Sequence, residues 1–249
     1  ESPRWLISKG RLVEAEAIVK QIEASTARRS PTAALAAAPA PVPARATRWS
    51  ELLSSSYRQR TLIVWTLWAS AFFIANGVNN WLPSLYNTVY HLGLQQALRA
   101  ASLTNVAQVL VLLICAFTID RIGRRTWTAV SFIAGGLILG ALGFAGARSV
   151  MGVIILATLS YGIIGSINAV LYLYTPEIYP TRMRAIGTGL ATAWLRWASA
   201  VGPALVGFIV ARKGIGSVFL MFAGVSVIGL LAATRMIETR DQRLEDIAT

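Results

Sequence analysis

Acidic residues are scarce in this chain, and their placement is more telling than their number. Only 11 of the 249 residues are Asp or Glu, and charged residues of both signs make up 14%, against roughly 25% in ordinary soluble chains. So few charges cannot clothe the surface of a water-soluble domain of this size. One cysteine, Cys115, excludes an internal disulfide and reads as a small packing residue in an apolar stretch. One histidine, His91, in a polar connection, is a poor proton carrier. No metal-ligand cluster, nucleophile triad or phosphate loop is legible. Glycine pairs such as Gly135-Gly136 lie inside apolar runs. The amino end has no short apolar core followed by small residues at a cleavage point. No cofactor is expected, and no enzyme.

What is present is hydrophobic length. Residues of the AVILMFWYC set make up 55% of the chain. A helix that crosses a bilayer needs ~20 predominantly apolar residues. Six runs qualify: 61–90, 100–119, 126–147, 149–176, 185–211 and 214–234. Only the fifth holds a charge, Arg196. A helix at the surface of a soluble protein turns one face to water and would not stay charge-free for so long. The expected fold is an all-α membrane protein with six transmembrane helices, so the lipid bilayer is its first partner.

The net charge of +12 could point to nucleic acid. The distribution of the charges points instead to topology. If the amino-terminal segment is cytoplasmic, 18 of the 23 basic residues fall on that side of the membrane. Four fall on the other: Arg99, Arg148, Arg212 and Lys213. Such an asymmetry sets orientation and predicts both ends of the segment in the cytoplasm. All eleven acids also lie in cytoplasmic segments, so no carboxylate sits at membrane depth to relay a proton. Three organising segments follow: a cytoplasmic lead-in at 1–60, the bundle at 61–236 and a tail at 237–249. Within the lead-in, Leu12, Ala15, Val19 and Ile22 share a helical face, which predicts an amphipathic helix against the inner face of the bundle. Residues 25–47, with Pro31, Pro39, Pro41 and Pro43 among many alanines, read as a linker. Residues 49–57 read as a second short helix anchored by Trp49, Leu52, Leu53 and Tyr57.

Three cytoplasmic motifs narrow the class. Glu1-Ser2-Pro3-Arg4-Trp5-Leu6 opens the chain, Asp120-Arg121-Ile122-Gly123-Arg124-Arg125 joins the second and third runs, and Pro176-Glu177-Ile178-Tyr179-Pro180-Thr181-Arg182-Met183-Arg184 follows the fourth. The set resembles the major facilitator superfamily, in particular its sugar porters and organic-ion carriers. The first motif is similar to the Pro-Glu-Ser-Pro-Arg-Trp motif after the sixth helix of that group, which begins with a Pro not present here. The second is similar to the signature loop found once in each half, with Ala116 where a Gly is usual. The resemblance implies the C-terminal half of a twelve-helix carrier, built as two inverted three-helix repeats. A segment opening inside the first motif is expected to be a fragment, with an N-terminal six-helix half as its partner.

The resemblance further implies a cytoplasmic gate of Glu1, Arg4, Asp120, Arg121, Arg124, Glu177, Arg182 and Arg184, whose ion pairs form when the inner helix ends close. A helical carrier places polar side chains toward its path, because they are costly in hydrocarbon. Helical spacing puts Trp65, Trp68, Phe72, Asn76, Asn79 and Pro83, with Asn80 adjacent, along one face of the first span. Asn105 and Gln108 share a face of the second, Tyr161, Gly165, Asn168 and Tyr172 one of the fourth, and Thr188, Thr192, Arg196, Ser199 and Pro203 one of the fifth. Pro83 and Gly77 are expected to interrupt or loosen the outer end of the first span. The third and sixth spans hold glycine and aliphatics, such as Gly136, Gly140, Gly143, Gly224 and Gly229, which predict close helix packing.

These faces predict secondary transport of a small organic solute by alternating access, with proton coupling left open. Arg196 at mid-span needs a partner, which is a carboxylate of the other half, helix carbonyls with cavity water, or a substrate anion. The resemblance, whose anion carriers hold an Arg in this helix, favours the organic anion. A sugar is the second reading, and a non-transporting sensor or degenerate half-carrier a third. Twenty Arg against three Lys, with abundant Ala, suggests a GC-rich bacterial source and hence the inner membrane.

Overall fold

A computed structural model describes residues 3–8, 10–27, 48–88, 91–145 and 149–242. Glu1, Arg148 and most of the linker and tail (28–47 and 243–249) lie outside the described residues, as does the side chain of Arg4. The described residues form eight α-helices and one short 3-10 turn, with no strand among them.

The lead-in holds α1 (Pro3–Ser8) and α2 (Leu12–Ala27). The first was not foreseen. Gly10 turns the chain between them with φ +76. Helix α2 runs past Glu23 to Ala27, into the stretch expected as linker. Of its apolar stripe, Ala15 is buried while Leu12, Val19 and Ile22 are exposed. Arg11 pairs with Glu14 at 2.6 Å and Lys20 with Glu16 at 2.9 Å on its surface.

Residues 47–249 form a separate compact unit. It opens with the 3-10 turn Trp49–Leu53 and continues with α3 (Arg58–Thr88), α4 (Leu94–Ile122), α5 (Arg124–Ala145), α6 (Val150–Glu177), α7 (Arg184–Lys213) and α8 (Ile215–Ala233). These six helices are all long and apolar enough to cross a membrane. Turn chemistry explains several boundaries. Gly123 (φ +94) and Gly214 (φ +76) end α4 and α7 in backbone conformations that side chains oppose. Ser149 caps α6, its Oγ accepting from the Gly152 N–H at 3.4 Å.

Helix α3 does not break at Pro83, contrary to expectation, and continues to Thr88. The proline removes the hydrogen bond to the Asn79 carbonyl, a defect of about 3 kcal/mol in an isolated helix. Leu82, Leu85 and Tyr86 on either side are fully packed, and that burial holds the last turn in register.

The helices pair with an internal symmetry. Helix α3 packs on α7 and α8, and α6 packs on α4 and α5; α3 meets α6, and α5 meets α8. Exchanging α3 with α6, α4 with α7 and α5 with α8 maps this pattern onto itself. Two three-helix repeats therefore build the bundle, with opposite orientations because each contains an odd number of crossings. The α5–α8 seam is held by glycines, as predicted. A Cβ on Gly229 would lie 2.4 Å from the Phe132 ring, and one on Gly136 2.9 Å from Ser226. Gly143 and Gly216 bring two backbones together, a Cβ on either meeting the other's carbonyl at 3.1 Å. Gly224 is the exception and meets nothing within 4 Å.

Candidate functional site

The odd number of crossings also decides which helix ends meet. The start of α3, the α4–α5 turn, the α6–α7 turn and the end of α8 all lie at one end of the bundle. Charged residues gather there. Arg124, at the first position of α5, reaches Asp120 at 2.9 Å and Glu177 at 3.3 Å. The shorter contact is the weaker one electrostatically. Asp120 has 79% of its side chain exposed, whereas Arg124 and Glu177 have 12% and 15%. Water and salt screen the first pair far more than the second. The other oxygen of Glu177 accepts from the Thr239 hydroxyl.

The remaining gate candidates are arranged differently from the expected single network. Arg182 pairs with Glu51 of the 3-10 turn instead of Glu177. Arg184 donates through Nε to the Tyr179 carbonyl at 3.1 Å. Arg121 takes part through its backbone carbonyl, which accepts from Arg240.

Three contributors were missed in the sequence. Glu238 accepts from the backbone N–H groups of Arg124 at 2.9 Å and Arg125 at 3.1 Å. A carboxylate at a helix start meets both free N–H donors and the positive end of the helix dipole. The glycine of the turn makes room for it, since a Cβ on Gly123 would lie 2.6 Å from Glu238 Oε2. Thr239 and Glu51 complete the set. The available signal was that Glu238 is the first acid after the last span, too close to it to swing free. Nearby, buried Tyr179 shares a 3.0 Å hydrogen bond with Thr61, whose hydroxyl also donates to the Leu52 carbonyl at 2.9 Å. Burial raises the Tyr179 pKa, while the Thr61 bond opposes the shift.

The polar residues within the spans fall into two groups. On the α3–α7 side, Asn76 Nδ2 donates to Ser199 Oγ at 2.8 Å. Arg196 stands one turn before Ser199, exposed, with no ion pair among the described residues. At 1.5 Å per residue it is about 18 Å from the start of α7 and about 26 Å from its end. Trp194 does not cage it, because its ring packs on Trp65 at 5.6 Å. Thr192 hydrogen-bonds back to the Gly189 carbonyl in its own helix.

On the α4–α6 side, Tyr161 donates to Asn105 Oδ1 at a long 3.5 Å. Gln108 lies against Gly165, where a Cβ would come within 2.5 Å of its Nε2. Asn168, one turn beyond Gly165, has a buried Oδ1 with no partner among the described residues. An aromatic cluster stands between the groups. Tyr172 packs edge-on against Trp68 at 4.7 Å, Trp68 stacks on Phe72 at 5.1 Å, and Trp68 Nε1 donates to Thr175 at 2.9 Å. Asn79 is half-buried and Asn80 exposed, and neither forms a side-chain hydrogen bond with the described residues. His91 sits exposed in the α3–α4 loop with φ +54.

Comparison with known proteins gives a consistent picture. The description "Sugar (and other) transporter" matches residues 1–249. The niacin transporter NiaP of Acinetobacter baylyi is 31% identical over 259 residues, covering 99% of this chain and 56% of its own. The putative metabolite transport protein YdjK of Escherichia coli is 27% identical over 257 residues, covering 100% of this chain and 54% of its own. Plastidic glucose transporter 4 of Arabidopsis thaliana is 28% identical, covering 99% and 46% respectively. The chain thus spans about half the length of the curated relatives it matches.

Proposed function

The chain belongs to the Sugar (and other) transporter family, and from that premise we propose that it forms one half of a carrier moving a small organic anion by alternating access. A multi-pass membrane protein of this family moves small solutes; the anion is the further step. Arg196 carries it. A guanidinium near mid-membrane costs roughly 2.5–3.5 kcal/mol on insertion scales. Within these six helices the acids, Asp120 and Glu177, stand at helix ends and none is near mid-span, and Arg196 stands on the polar α3–α7 face beside the Asn76–Ser199 pair. A carboxylate solute would satisfy it through a two-pronged hydrogen-bonded grip. The similarity to a niacin transporter favours the same chemistry, since niacin is a pyridine carboxylic acid.

The second reading is a sugar. The amides Asn105, Gln108 and Asn168 suit hydroxyl groups, and a glucose transporter is among the relatives. Competition in the full-length carrier separates the two. A carboxylic acid should compete for uptake and its neutral amide should not. The planar fork is lost in Arg196→Lys, which should weaken uptake of the acid, and Arg196→Ala should nearly abolish it. An amide that competes as well as its acid would remove the anion reading and leave the sugar.

At the cytoplasmic end, we infer that Arg124, Glu177, Glu238 and Thr239 work as the gate, closing when the inner helix ends meet and parting when they separate. Asp120, Arg121, Arg182 and Arg184 act around that centre. The amino-terminal motif belongs to the same proposal through Glu1 and Arg4. The partner half would supply the opposing wall of the path. Both ends of the segment are proposed to lie in the cytoplasm, at a bacterial inner membrane.

A further inference from the structure

A groove runs between α3, α7 and α8. Its deep part is walled by Trp65, Phe73, Trp194, Trp197 and Val201 and encloses about 530 Å³. The two hydroxyls there give a polar ligand little hold. Thr66 already donates to the Leu62 carbonyl at 2.8 Å, and Ser70 is only 4% exposed. A second hollow of about 390 Å³ continues from it, sharing Leu62, Thr66 and Ile228 as walls. This one ends on Gln59 and Arg235. Arg58 stands one turn before Leu62 on the same face of α3. Both arginines are exposed and neither forms an ion pair among the described residues.

The slot therefore has a direction. Its cationic mouth is at the end of the bundle where the charged turns gather, and its aromatic floor lies toward mid-membrane. From Leu62 to Phe73 the rise along α3 is about 16 Å. That matches the depth of one leaflet of hydrocarbon, about 15 Å. The rim is apolar and open: Leu62, Ile228 and Leu231 are each about half exposed. Dry walls, a leaflet-deep length and cations confined to one end describe an acyl chain attached to an anionic head.

We propose that this groove binds one anionic phospholipid of the leaflet on the Arg235 side, with an acyl chain in the tryptophan-lined slot and the phosphate between Arg58 and Arg235. The charge complementarity selects the headgroup, and the aromatic walls retain the chain.

Tryptophan quenching by brominated lipids tests this. The full-length carrier is placed in nanodiscs of phosphatidylcholine containing increasing fractions of phosphatidylglycerol with brominated chains, or of equally brominated phosphatidylcholine. Quenching should saturate at a lower fraction with phosphatidylglycerol, by about fivefold for each arginine engaged. In Arg58→Gln/Arg235→Gln that preference should disappear. In Trp194→Phe/Trp197→Phe the saturating component should shrink, which assigns the signal to the slot. Ala69→Leu, which narrows the slot without touching charge, should remove the saturating component while uptake continues. Equal quenching by the two lipids would overturn the proposal. So would a preference that survives loss of both arginines, or no saturating component at all, as expected if another protein surface fills the groove.

Discussion

At the residue scale, burial reorders the charges that the motifs made look equivalent. Asp120 opens the signature loop and draws the eye, yet its carboxylate is mostly in water and its pair with Arg124 resembles a surface ion pair, worth ~0–1 kcal/mol. Glu177 is the costlier partner to lose. Neutralising it would leave Arg124, 12% exposed, with only a solvated acid. That should cost less than the ~3–5 kcal/mol of a fully buried pair, since both side chains keep some water, but clearly more than the Asp120 contact. Two substitutions in the full-length carrier compare them. Glu177→Gln should depress uptake strongly, and Asp120→Asn should lower it mildly, with both proteins reaching the membrane in normal amounts. Equal losses would mean that the Asp120 contact strengthens in another state of the carrier. A strong loss from Asp120→Asn alone would contradict the ranking by burial.

At the element scale, the glycine seam between α5 and α8 offers a matched pair of substitutions in one helix. Gly229→Ala would push a methyl into the ring of Phe132, itself 1% exposed, at a cost of about 1–3 kcal/mol. Gly224→Ala meets open space and gains helix propensity, so it should be neutral or stabilising by up to about 1 kcal/mol. Thermal unfolding of the purified full-length protein in one detergent should therefore separate the two variants, and coincident midpoints would deny the seam its packing role. The six spans were legible because charge-free length is a one-dimensional property: the expected runs and the helices differ by a few residues at most ends. The exceptions lie where a neighbour decides. Pro83 was expected to break α3, and the packing of Leu82, Leu85 and Tyr86 carries the helix through it. The polar faces were legible from helical spacing, but not their partners. Nothing in the sequence tells that Asn76 meets Ser199, or that Glu238 returns to the start of α5 across 114 residues.

At the scale of the whole molecule, orientation follows from which helix ends carry charge, and one measurement can read it. The charged turns and the Glu238 contact cluster at one end, whereas the α3–α4 loop with His91 lies at the other. Positive charge favours the cytoplasmic side for the first of these. Cys115, the single cysteine of these 249 residues, is buried, with 3% of its surface exposed, so in a carrier whose other half is cleared of cysteine it gives a quiet background for added thiols. His91→Cys should react with a membrane-impermeant maleimide in intact cells. Gln242→Cys, exposed beyond α8, should react only after the membrane is opened. Both positions are solvent-exposed turns outside the packed spans, so neither change should disturb folding, and the unsubstituted chain should label little in either condition. Labelling of Gln242→Cys in intact cells, with His91→Cys protected, would invert the bundle. The inversion would also move the Arg58–Arg235 mouth to the outer leaflet and the proposed gate to the outer face.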